Sequence, residues 1–367
     1  MKIPFCDLAT QQNLIKNKID ERIQKVLAHG RYIMGPEIKE LEDQLSAFTQ
    51  TKHCITTSSG TDALILPMLA WDIQPGDEII TTPFSFIATI EVIALLKAKP
   101  VFVDIDPHTF NLDINQIENK ISNKTKLIIP VSLFGLTPDL NALQDICNKH
   151  NLKLLEDGCQ SFGASLNDKK SGSFGDAGAT SFFPAKPLGC YGDGGAVFTN
   201  DDDLAEKIKQ LRVHGQSKQY IYSSIGINGR LDTLQAAILL EKLSLFENEL
   251  KLRNQVAKRY SDALSNIKEV ICPTIPNGYQ SAFAQYSLLV EKRDQLKEYL
   301  AKNDIPTAIY YPTSLHQQTP YLKLIDDDTD YENTTSVCKR IISLPMSAYT
   351  NASDQEYINQ TIIDFYK

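Results

Sequence analysis

The sequence predicts an α/β protein, in which a mixed, mostly parallel sheet flanked by helices forms a large domain and a smaller α+β domain follows. The chain has 367 residues, and short β-rich runs alternate with helical patterns between residues 52 and 200. Such alternation is typical of parallel strands joined by covering helices. The β-rich runs are CITTSS, DEIITTP, KPVFVDI, TKLIIPV, LKLLEDG, ATSFF and GGAVFTN.

Two patterns between these runs predict covering helices. Leu140, Leu143 and Cys147 recur at helical spacing after Pro138, which gives one apolar face. Residues 201–212, DDDLAEKIKQLR, begin with aspartates and end with cations, as the dipole of a helix favours. We therefore interpret the aspartates as a helix start and not as a metal site, and no metal site is predicted elsewhere.

The C-terminal part changes character after a long helical pattern over residues 230–265. A strand candidate, QYSLLV, and helical patterns near 293–303 and 354–366 follow it. This order predicts a large domain over residues 1–250 and a small domain over residues 251–367. The acidic stretch IDDDTD lacks the Gly and the terminal Glu of a calcium-binding loop, so it predicts an exposed turn.

Composition excludes several classes of protein. The net charge is −8 without a long basic run, which disfavours a nucleic-acid partner. Seven cysteines occur without a C-x-x-C pair, as expected for reduced thiols in the cytosol. The N-terminus lacks an apolar signal region, and no apolar run approaches the roughly 18 residues of a spanning helix. We expect a cytoplasmic protein without a membrane anchor.

Lys186 lies in SFFPAKPLGCYGDGG, at the end of an apolar run and between two prolines. Pro184 and Pro187 disfavour helix and fix the backbone from which the amine projects. A partly desolvated lysine has a lowered pKa, and its neutral amine can attack a carbonyl and form a Schiff base. Taken alone, the pattern favours a surface lysine that extends from a strand end over a catalytic one.

Two further motifs come from neighbouring strand ends. LLEDGCQS places Asp157 at the exit of a strand. A carboxylate buried there needs a cationic partner, such as a protonated pyridine nitrogen. The alternative is an aspartate that caps the next turn. SSGTDALIL places Gly60 and Thr61 at a helix start that suits a phosphate dianion, although ordinary N-capping predicts the same letters. An amine, a carboxylate and a phosphate site together predict pyridoxal 5′-phosphate as the cofactor. Neither a P-loop nor a dinucleotide-binding glycine pattern is present.

These motifs resemble those of the DegT/DnrJ/EryC1/StrS family of sugar aminotransferases. The resemblance covers nearly the whole chain, from GRYIMGPEIKELE through SSGTDAL, PFSFIAT, PVFVDID, EDGCQSFGA and SFFPAKPLGCYGDGGA to GINGRLDTLQAA and YYPTSLHQQTPY. It implies the fold of type I aminotransferases and a homodimer whose active sites are completed across the interface.

The resemblance also implies roles for individual residues. Lys186 forms the Schiff base with the cofactor and then serves as base and acid in the proton shift. Asp157 pairs with the pyridinium nitrogen, Phe86 stacks on the ring, and Asn228 reaches in from the neighbouring subunit. The implied cofactor-binding residues are Gly60, Thr61, Phe86, Asp157, Gln160, Ser181, Lys186 and Asn228.

For the substrate, the resemblance is strongest to the branch that acts on UDP-2-acetamido-2-deoxy-3-oxo-glucuronic acid with L-glutamate as amino donor, for surface polysaccharides. Arg230 then binds the sugar carboxylate, because its planar fork binds two oxygens at once, or it forms an interhelical salt bridge. Tyr311 and His316 line the sugar pocket, or have structural roles. The family pattern has histidine where this chain has Ser132, a difference that bears on sugar specificity.

Four alternatives remain at this point. One is a transaminase for C3 or C4 of a dTDP- or UDP-linked keto-6-deoxy sugar. Another is a non-catalytic regulator that binds pyridoxal phosphate, although the chain shows no helix-turn-helix or basic patch. A dehydratase of the same fold carries histidine where this chain has Lys186, which argues against that alternative. A desulfurase would use Cys190, a lone cysteine amid glycines that packing or turn chemistry explains better.

Overall fold

The computed structural model describes residues 3–325 and 329–367, which contain ten α-helices. Several helices begin at side chains that accept backbone N–H groups: Asp139 caps the fifth helix and Asp201 the sixth. The helices are α1 (Leu8–His29), α2 (Pro36–Thr49), α3 (Gly60–Ala70), α4 (Ala88–Leu95), α5 (Leu140–His150), α6 (Asp202–Leu211), α7 (Thr233–Leu264), α8 (Arg293–Lys302), α9 (Glu332–Arg340) and α10 (Ala352–Tyr366).

The strands of the described residues form one large sheet and three small ones. They are β1 (His53–Thr57), β2 (Glu78–Thr81), β3 (Lys99–Phe102), β4 (Thr125–Ile128), β5 (Lys153–Asp157), β6 (Ser165–Leu166), β7 (Lys169–Lys170), β8 (Ala177–Ser181), β9 (Gly195–Thr199), β10 (Gln216–Lys218), β11 (Ile221–Tyr222), β12 (Val270–Ile271), β13 (Tyr279–Gln280), β14 (Tyr286–Val290) and β15 (Ile341–Leu344).

The large sheet has seven strands in the order β1-β9-β8-β5-β4-β2-β3. Strand β9 is antiparallel to both of its neighbours, and the remaining pairs are parallel. The predicted mixed, mostly parallel sheet is therefore confirmed, and its seven predicted runs are its seven strands. Because β1, β2, β4, β5 and β8 run in the same direction, their carboxyl ends meet at one edge, which we call the C-terminal edge.

Helices cover both faces of this sheet, since successive side chains of each strand point to opposite sides. Ile55 and Val197 face a core with α3, α4 and α6, whereas Cys54 and Phe198 face a core with α2 and α7. The apolar stripe of α5 packs on the second face as predicted, through Leu140, Leu143 and Cys147. Burial of each such large side chain contributes on the order of 1.5–3 kcal/mol.

A second, smaller core lies at the C-terminal end of the chain. The antiparallel sheet β12-β14-β15 packs against α8, α10 and the end of α7, around Tyr260, Tyr286 and Ile342. The predicted domain boundary at residue 250 falls inside α7, which contributes to both cores, so the division into 1–250 and 251–367 stays a prediction. Residues 326–328 of the predicted acidic turn lie outside the described residues.

Within residues 3–325 and 329–367, the helices are too short or too polar for any of them to cross a lipid bilayer. All seven cysteines are free thiols, as expected from their spacing.

Candidate active site

The C-terminal edge brings Lys186, Asp157 and Cys159 together. Lys186 follows β8 in a turn that its own amide closes by donating to the carbonyl of Phe183 at 2.9 Å. Burial lowers the pKa of Lys186, and the nearby Cys159 and Asp157 act in the opposite direction. Because burial has the larger effect, more of this amine is neutral near pH 7 than in an exposed lysine, as a nucleophile or a base requires.

Asp157 ends β5 and is only 4% exposed. Each of its carboxylate oxygens accepts one hydrogen bond: Oδ2 from the hydroxyl of Thr89 at 2.8 Å, and Oδ1 from the amide of Cys159 at 3.2 Å. A carboxylate oxygen has two acceptor positions, so the group can still accept a proton-bearing nitrogen. This arrangement suits a pyridinium ring that lies over the edge of the sheet.

The start of α3 forms a pocket for a small anion. Ser59 caps this helix by accepting the amide of Asp62, and Gly60 and Thr61 form its first turn. A Cβ atom on Gly60 would lie 2.7 Å from Cβ and 3.1 Å from Oγ of Ser181. Only glycine therefore allows Ser181, at the end of β8, to come this close to the free amides of the helix, where a phosphate binds favourably.

Two aromatic residues and an amide form the opposite wall. Phe86 is 54% exposed, and its ring centroid lies 6.3 Å from that of Tyr311. Gln160 accepts the amide of Phe134 at 2.9 Å through Oε1, and its Nε2 donates to the hydroxyl of Tyr311 at 3.2 Å. Burial raises the pKa of Tyr311, so its hydroxyl stays protonated. An exposed phenylalanine beside a fixed tyrosine suits a planar ring that would cover it.

Asn228 and Arg230 lie apart from this group, in a cleft of about 420 Å³. The cleft adjoins the anion pocket, because the amide of Ser58 donates to the carbonyl of Gly229 at 2.9 Å. The Nε of Arg230 is buried and has no hydrogen-bond partner. Among residues 3–325 and 329–367, no carboxylate forms an ion pair with Arg230, so the interhelical salt bridge that was the alternative is absent there.

His316 occupies a different place from the residues around Lys186. Its ring packs against Tyr331 at 4.7 Å and Phe102 at 6.4 Å between centroids, beside the edge strand β3. This packing agrees with the structural alternative, and a role in sugar binding stays a prediction. Cys190 is fully buried, with Sγ within 3.0 Å of the carbonyl oxygen of Phe182, as expected for a packing residue.

Ser132 holds a second buried carboxyl. Its side chain is fully buried and donates to Oε1 of Glu156 at 2.8 Å, as does the hydroxyl of Ser171, while the amide of Gly172 donates to Oε2. Burial raises the pKa of Glu156, and these three donors oppose that effect. Because Glu156 and Asp157 are adjacent on β5, they point to opposite faces. The expectation that Ser132 bears on sugar specificity is therefore corrected, since its hydroxyl is directed into the core.

Sequence reasoning missed Thr89 and Cys159. Thr89 lies three residues after Phe86 in PFSFIAT, and Cys159 lies between Asp157 and Gln160, so both belong to motifs that were already singled out. The structure adds that a Cβ atom on Gly60 would lie 3.1 Å from Sγ of Cys159. The spacing of three residues between Phe86 and Thr89 could have indicated Thr89, and the turn after β5 could have indicated Cys159.

These residues fit pyridoxal 5′-phosphate. The glycine that lets Ser181 approach a helix start suits its phosphate, the fixed carboxylate of Asp157 suits its ring nitrogen, and the desolvated amine of Lys186 suits its aldehyde. The groups come from the ends of β1, β5 and β8, which lie at one edge of the sheet, and Lys186 is close enough to Asp157 and Cys159 to interact with both electrostatically. Within the described residues, no cluster of His, Cys, Asp and Glu has the arrangement of a metal site.

Comparison with known proteins agrees with this site. The profile of the DegT/DnrJ/EryC1/StrS aminotransferase family matches residues 13–363. The chain is 46% identical over 356 residues to the UDP-2-acetamido-2-deoxy-3-oxo-D-glucuronate aminotransferase of Pseudomonas aeruginosa, covering 97% of this chain and 98% of that protein. It is 37% identical to the UDP-N-acetyl-3-dehydro-alpha-D-glucosamine 3-aminotransferase of Acidithiobacillus ferrooxidans, covering 94% and 92%.

Solved structures give the same result. A DegT DnrJ EryC1 StrS aminotransferase from Brucella abortus has a TM-score of 0.95 at 43% identity, with 99% of each chain covered. The Bacillus subtilis protein NtdA, solved with bound cofactor PMP, has a TM-score of 0.91 at 29% identity, covering 99% of this chain and 85% of that one. The chain therefore belongs to the DegT/DnrJ/EryC1/StrS aminotransferase family, whose members depend on pyridoxal phosphate and share the fold of type I aminotransferases.

Proposed function

We propose that this protein transfers an amino group from L-glutamate to C3 of UDP-2-acetamido-2-deoxy-3-oxo-glucuronic acid, and that the product enters a surface polysaccharide. The observation that carries the choice of sugar is Arg230, whose buried Nε lacks a partner in an open cleft. The similarity to the Pseudomonas aeruginosa enzyme over nearly the whole chain supports the same choice.

The residues around Lys186 perform the chemistry in this proposal. Bound pyridoxal phosphate supplies an aldehyde and an electron-withdrawing ring. The neutral amine of Lys186 would attack the aldehyde carbon with release of water. Once released from that bond, its Nζ would remove a proton from the amine-bearing carbon of the donor and deliver a proton to C3 of the acceptor sugar. Asp157 would accept a hydrogen bond from the ring nitrogen, and its burial would exclude water from that contact.

The remaining residues bind and orient. The amides at the start of α3, with Thr61 and Ser181, hold the phosphate, and Phe86 covers one face of the ring. Gln160 is fixed by the amide of Phe134, so its Nε2 points toward Tyr311. We propose that Tyr311, whose hydroxyl stays protonated, contributes a hydrogen-bond donor to the sugar.

Arg230 supplies the selectivity for a carboxylated sugar. A guanidinium binds both oxygens of a carboxylate at once, and the partly buried guanidinium of Arg230, whose Nε has no hydrogen-bond partner, favours such a ligand. The glucuronate and glucosamine substrates named for the two relatives differ at C6, which is a carboxylate in the first and a hydroxymethyl group in the second. The two sugars therefore form a matched pair for testing Arg230.

We propose that the active sites are shared between two copies of the chain. The cleft of Asn228 and Arg230 and the surroundings of Lys186 are lined by different residues, and we infer that a second copy of the chain contributes one of the two groups to each site. The hairpin β10-β11 and the loop after it, which precede Asn228, expose Tyr220 (79%), Ile221 (56%), Tyr222 (57%) and Ile225 (93%). An exposed apolar patch of this kind is typical of a subunit interface.

The proposed selectivity of Arg230 for the carboxylated sugar is tested by comparing kcat/KM for the two nucleotide sugars. The comparison uses the wild-type protein, Arg230→Ala and Arg340→Ala. Arg340 is paired with Glu291 on the small core and serves as the control. A charge-assisted contact contributes about 1.5–3 kcal/mol, so Arg230→Ala should lose about ten- to a hundredfold on the carboxylated sugar and little on the other. Undiminished activity of Arg230→Ala on the carboxylated sugar would refute the assignment.

The same assays separate the alternatives. Preference for a dTDP- or UDP-linked keto-6-deoxy sugar would favour the other class of transaminase. A regulator would bind the cofactor without consuming L-glutamate, whereas a transaminase changes the visible absorption of its bound cofactor when glutamate is added. Turnover by Lys186→Ala would refute the role given to that lysine.

Mixed dimers test the shared site. A purified heterodimer of Lys186→Ala and Arg230→Ala chains would contain one complete site and one site lacking both residues, so it should recover about half of the wild-type activity on the carboxylated sugar. A heterodimer as inactive as its parents would show that both residues act from the same chain.

A further inference from the structure

A chain of buried hydroxyl groups leads to the carboxylate of Asp157. Thr89 and Ser85 are 1% and 3% exposed. Thr89 donates its single hydroxyl proton to Oδ2 of Asp157 at 2.8 Å, and the hydroxyl of Ser85 lies 3.0 Å from that of Thr89. Because the proton of Thr89 is already given to the carboxylate, Ser85 must be the donor to Thr89.

This chain fixes the plane of the carboxylate. Oδ1 is held by the amide of Cys159, so rotation about the Cβ–Cγ bond would break a hydrogen bond at one oxygen or the other. The backbone of Asp157 is fixed as well, since its amide donates to Pro130 and its carbonyl accepts the amide of Ser132. Only the side-chain torsion depends on Thr89.

The chain also connects the acid to the aromatic wall. Thr89 lies in the first turn of α4, and its amide donates to the carbonyl of Phe86 at 3.3 Å. Ser85 directly precedes Phe86 in the sequence. One hydrogen-bonded unit therefore holds both the backbone of Phe86 and the carboxylate of Asp157.

We propose that Thr89 is a positioning residue that holds the Asp157 carboxylate in the orientation needed by the cofactor ring, with Ser85 as its support. The inference rests on the proposed function, in which Asp157 meets the ring nitrogen. Thr89 acts through Asp157 and takes no part in proton transfer with the substrate.

The test measures the dissociation constant of pyridoxal phosphate for the apoprotein, followed by its visible absorption. Thr89→Val keeps the shape but removes the hydroxyl, and loss of a hydrogen bond to a charged group should weaken binding about tenfold. Thr89→Ser retains the donor and should bind within about twofold of wild type. Ser85→Ala removes only the support and should weaken binding about two- to threefold.

Thr81→Val is the matched control. Thr81 is also fully buried, and its hydroxyl donates to a neutral acceptor, the carbonyl of Ile129, at the same distance of 2.8 Å. Both valine variants should lose similar thermal stability, but only Thr89→Val should lose cofactor affinity. Equal affinities of Thr89→Val and Thr81→Val would overturn the inference, as would failure of serine to restore binding.

Asp157→Asn separates this inference from the proposed function. If Asp157→Asn leaves cofactor binding unchanged, the proposed role of Asp157 is wrong. If Asp157→Asn weakens binding while Thr89→Val does not, only the role of Thr89 is wrong. If Thr89→Val does not fold, the comparison of Ser85→Ala and Thr89→Ser with wild type decides the question by the same criterion.

Discussion

Lys242 is a buried lysine that takes no part in the proposed chemistry. Its burial gives a quantitative prediction about how the free energy of unfolding depends on pH. It lies in the middle of α7 with 1% of its surface exposed, and its Nζ lies 5.1 Å from the ring centroid of Tyr191. Burial lowers its pKa from 10.5 to about 8, with Glu249 acting in the opposite direction. We predict that this lysine makes the free energy of unfolding depend on pH.

The sign follows from proton binding. Because the pKa is lower in the folded protein than in the unfolded chain, the unfolded chain binds more protons between about pH 8 and 10.5, and the free energy of unfolding rises with pH in that window. At about 1.36 kcal/mol per pH unit, the protonated lysine costs the folded state about 3 kcal/mol below pH 8. About 2 kcal/mol of this is recovered between pH 7 and 9.5.

Lys242→Met removes the titrating group but fills a similar volume. We expect its free energy of unfolding, measured in urea on the apoprotein, to lack this rise, so that the difference from wild type shrinks by about 2 kcal/mol from pH 7 to 9.5. Lys251→Met changes an exposed lysine of the same helix and should give a curve parallel to wild type. Parallel curves for Lys242→Met and wild type would refute the reasoning.

Two further predictions concern the walls of the site. Gly60→Ala places a Cβ atom 2.7 Å from the Cβ atom of Ser181. We expect the dissociation constant of pyridoxal phosphate to rise at least about tenfold and the free energy of unfolding to fall by about 1–3 kcal/mol. Unchanged affinity would show that the phosphate lies elsewhere. Ser132→Ala removes one of three donors to Glu156, so urea unfolding should show a loss of about 1–2 kcal/mol while the ratio of kcat/KM for the two sugars stays at the wild-type value. A changed sugar ratio would return Ser132 to the substrate pocket.

The large sheet and the residues at its edge could be predicted because they depend on local patterns. Each strand run was short but rich in β-forming residues, Asp157 ends β5, and Gly60 and Lys186 lie in the segments that follow β1 and β8. Parallel strands bring such residues to one edge whatever the lengths of the connections between them. Their convergence therefore follows from topology alone.

Contacts between distant segments could not be predicted in this way. Thr89 and Asp157 are 68 positions apart, and no spacing rule says which hydroxyl meets which carboxylate. The strands β10 to β13, of two or three residues each, are also set by tertiary contacts, since such short runs carry too little pattern. The orientation of Ser132 depended on which face of β5 carries Glu156, a question that a sequence motif leaves open.

The neighbouring acids of β5 restrict how this site can change in evolution. Glu156 is anchored in the protein interior and Asp157 faces the cofactor space only because the strand alternates its side chains. Insertion or deletion of a single residue within β5 would exchange the faces of the two carboxyl groups. Glu156 would then lose its three hydrogen-bond donors, and Asp157 would point into the core. The length of this strand is therefore as strict a requirement as the identity of its last residue.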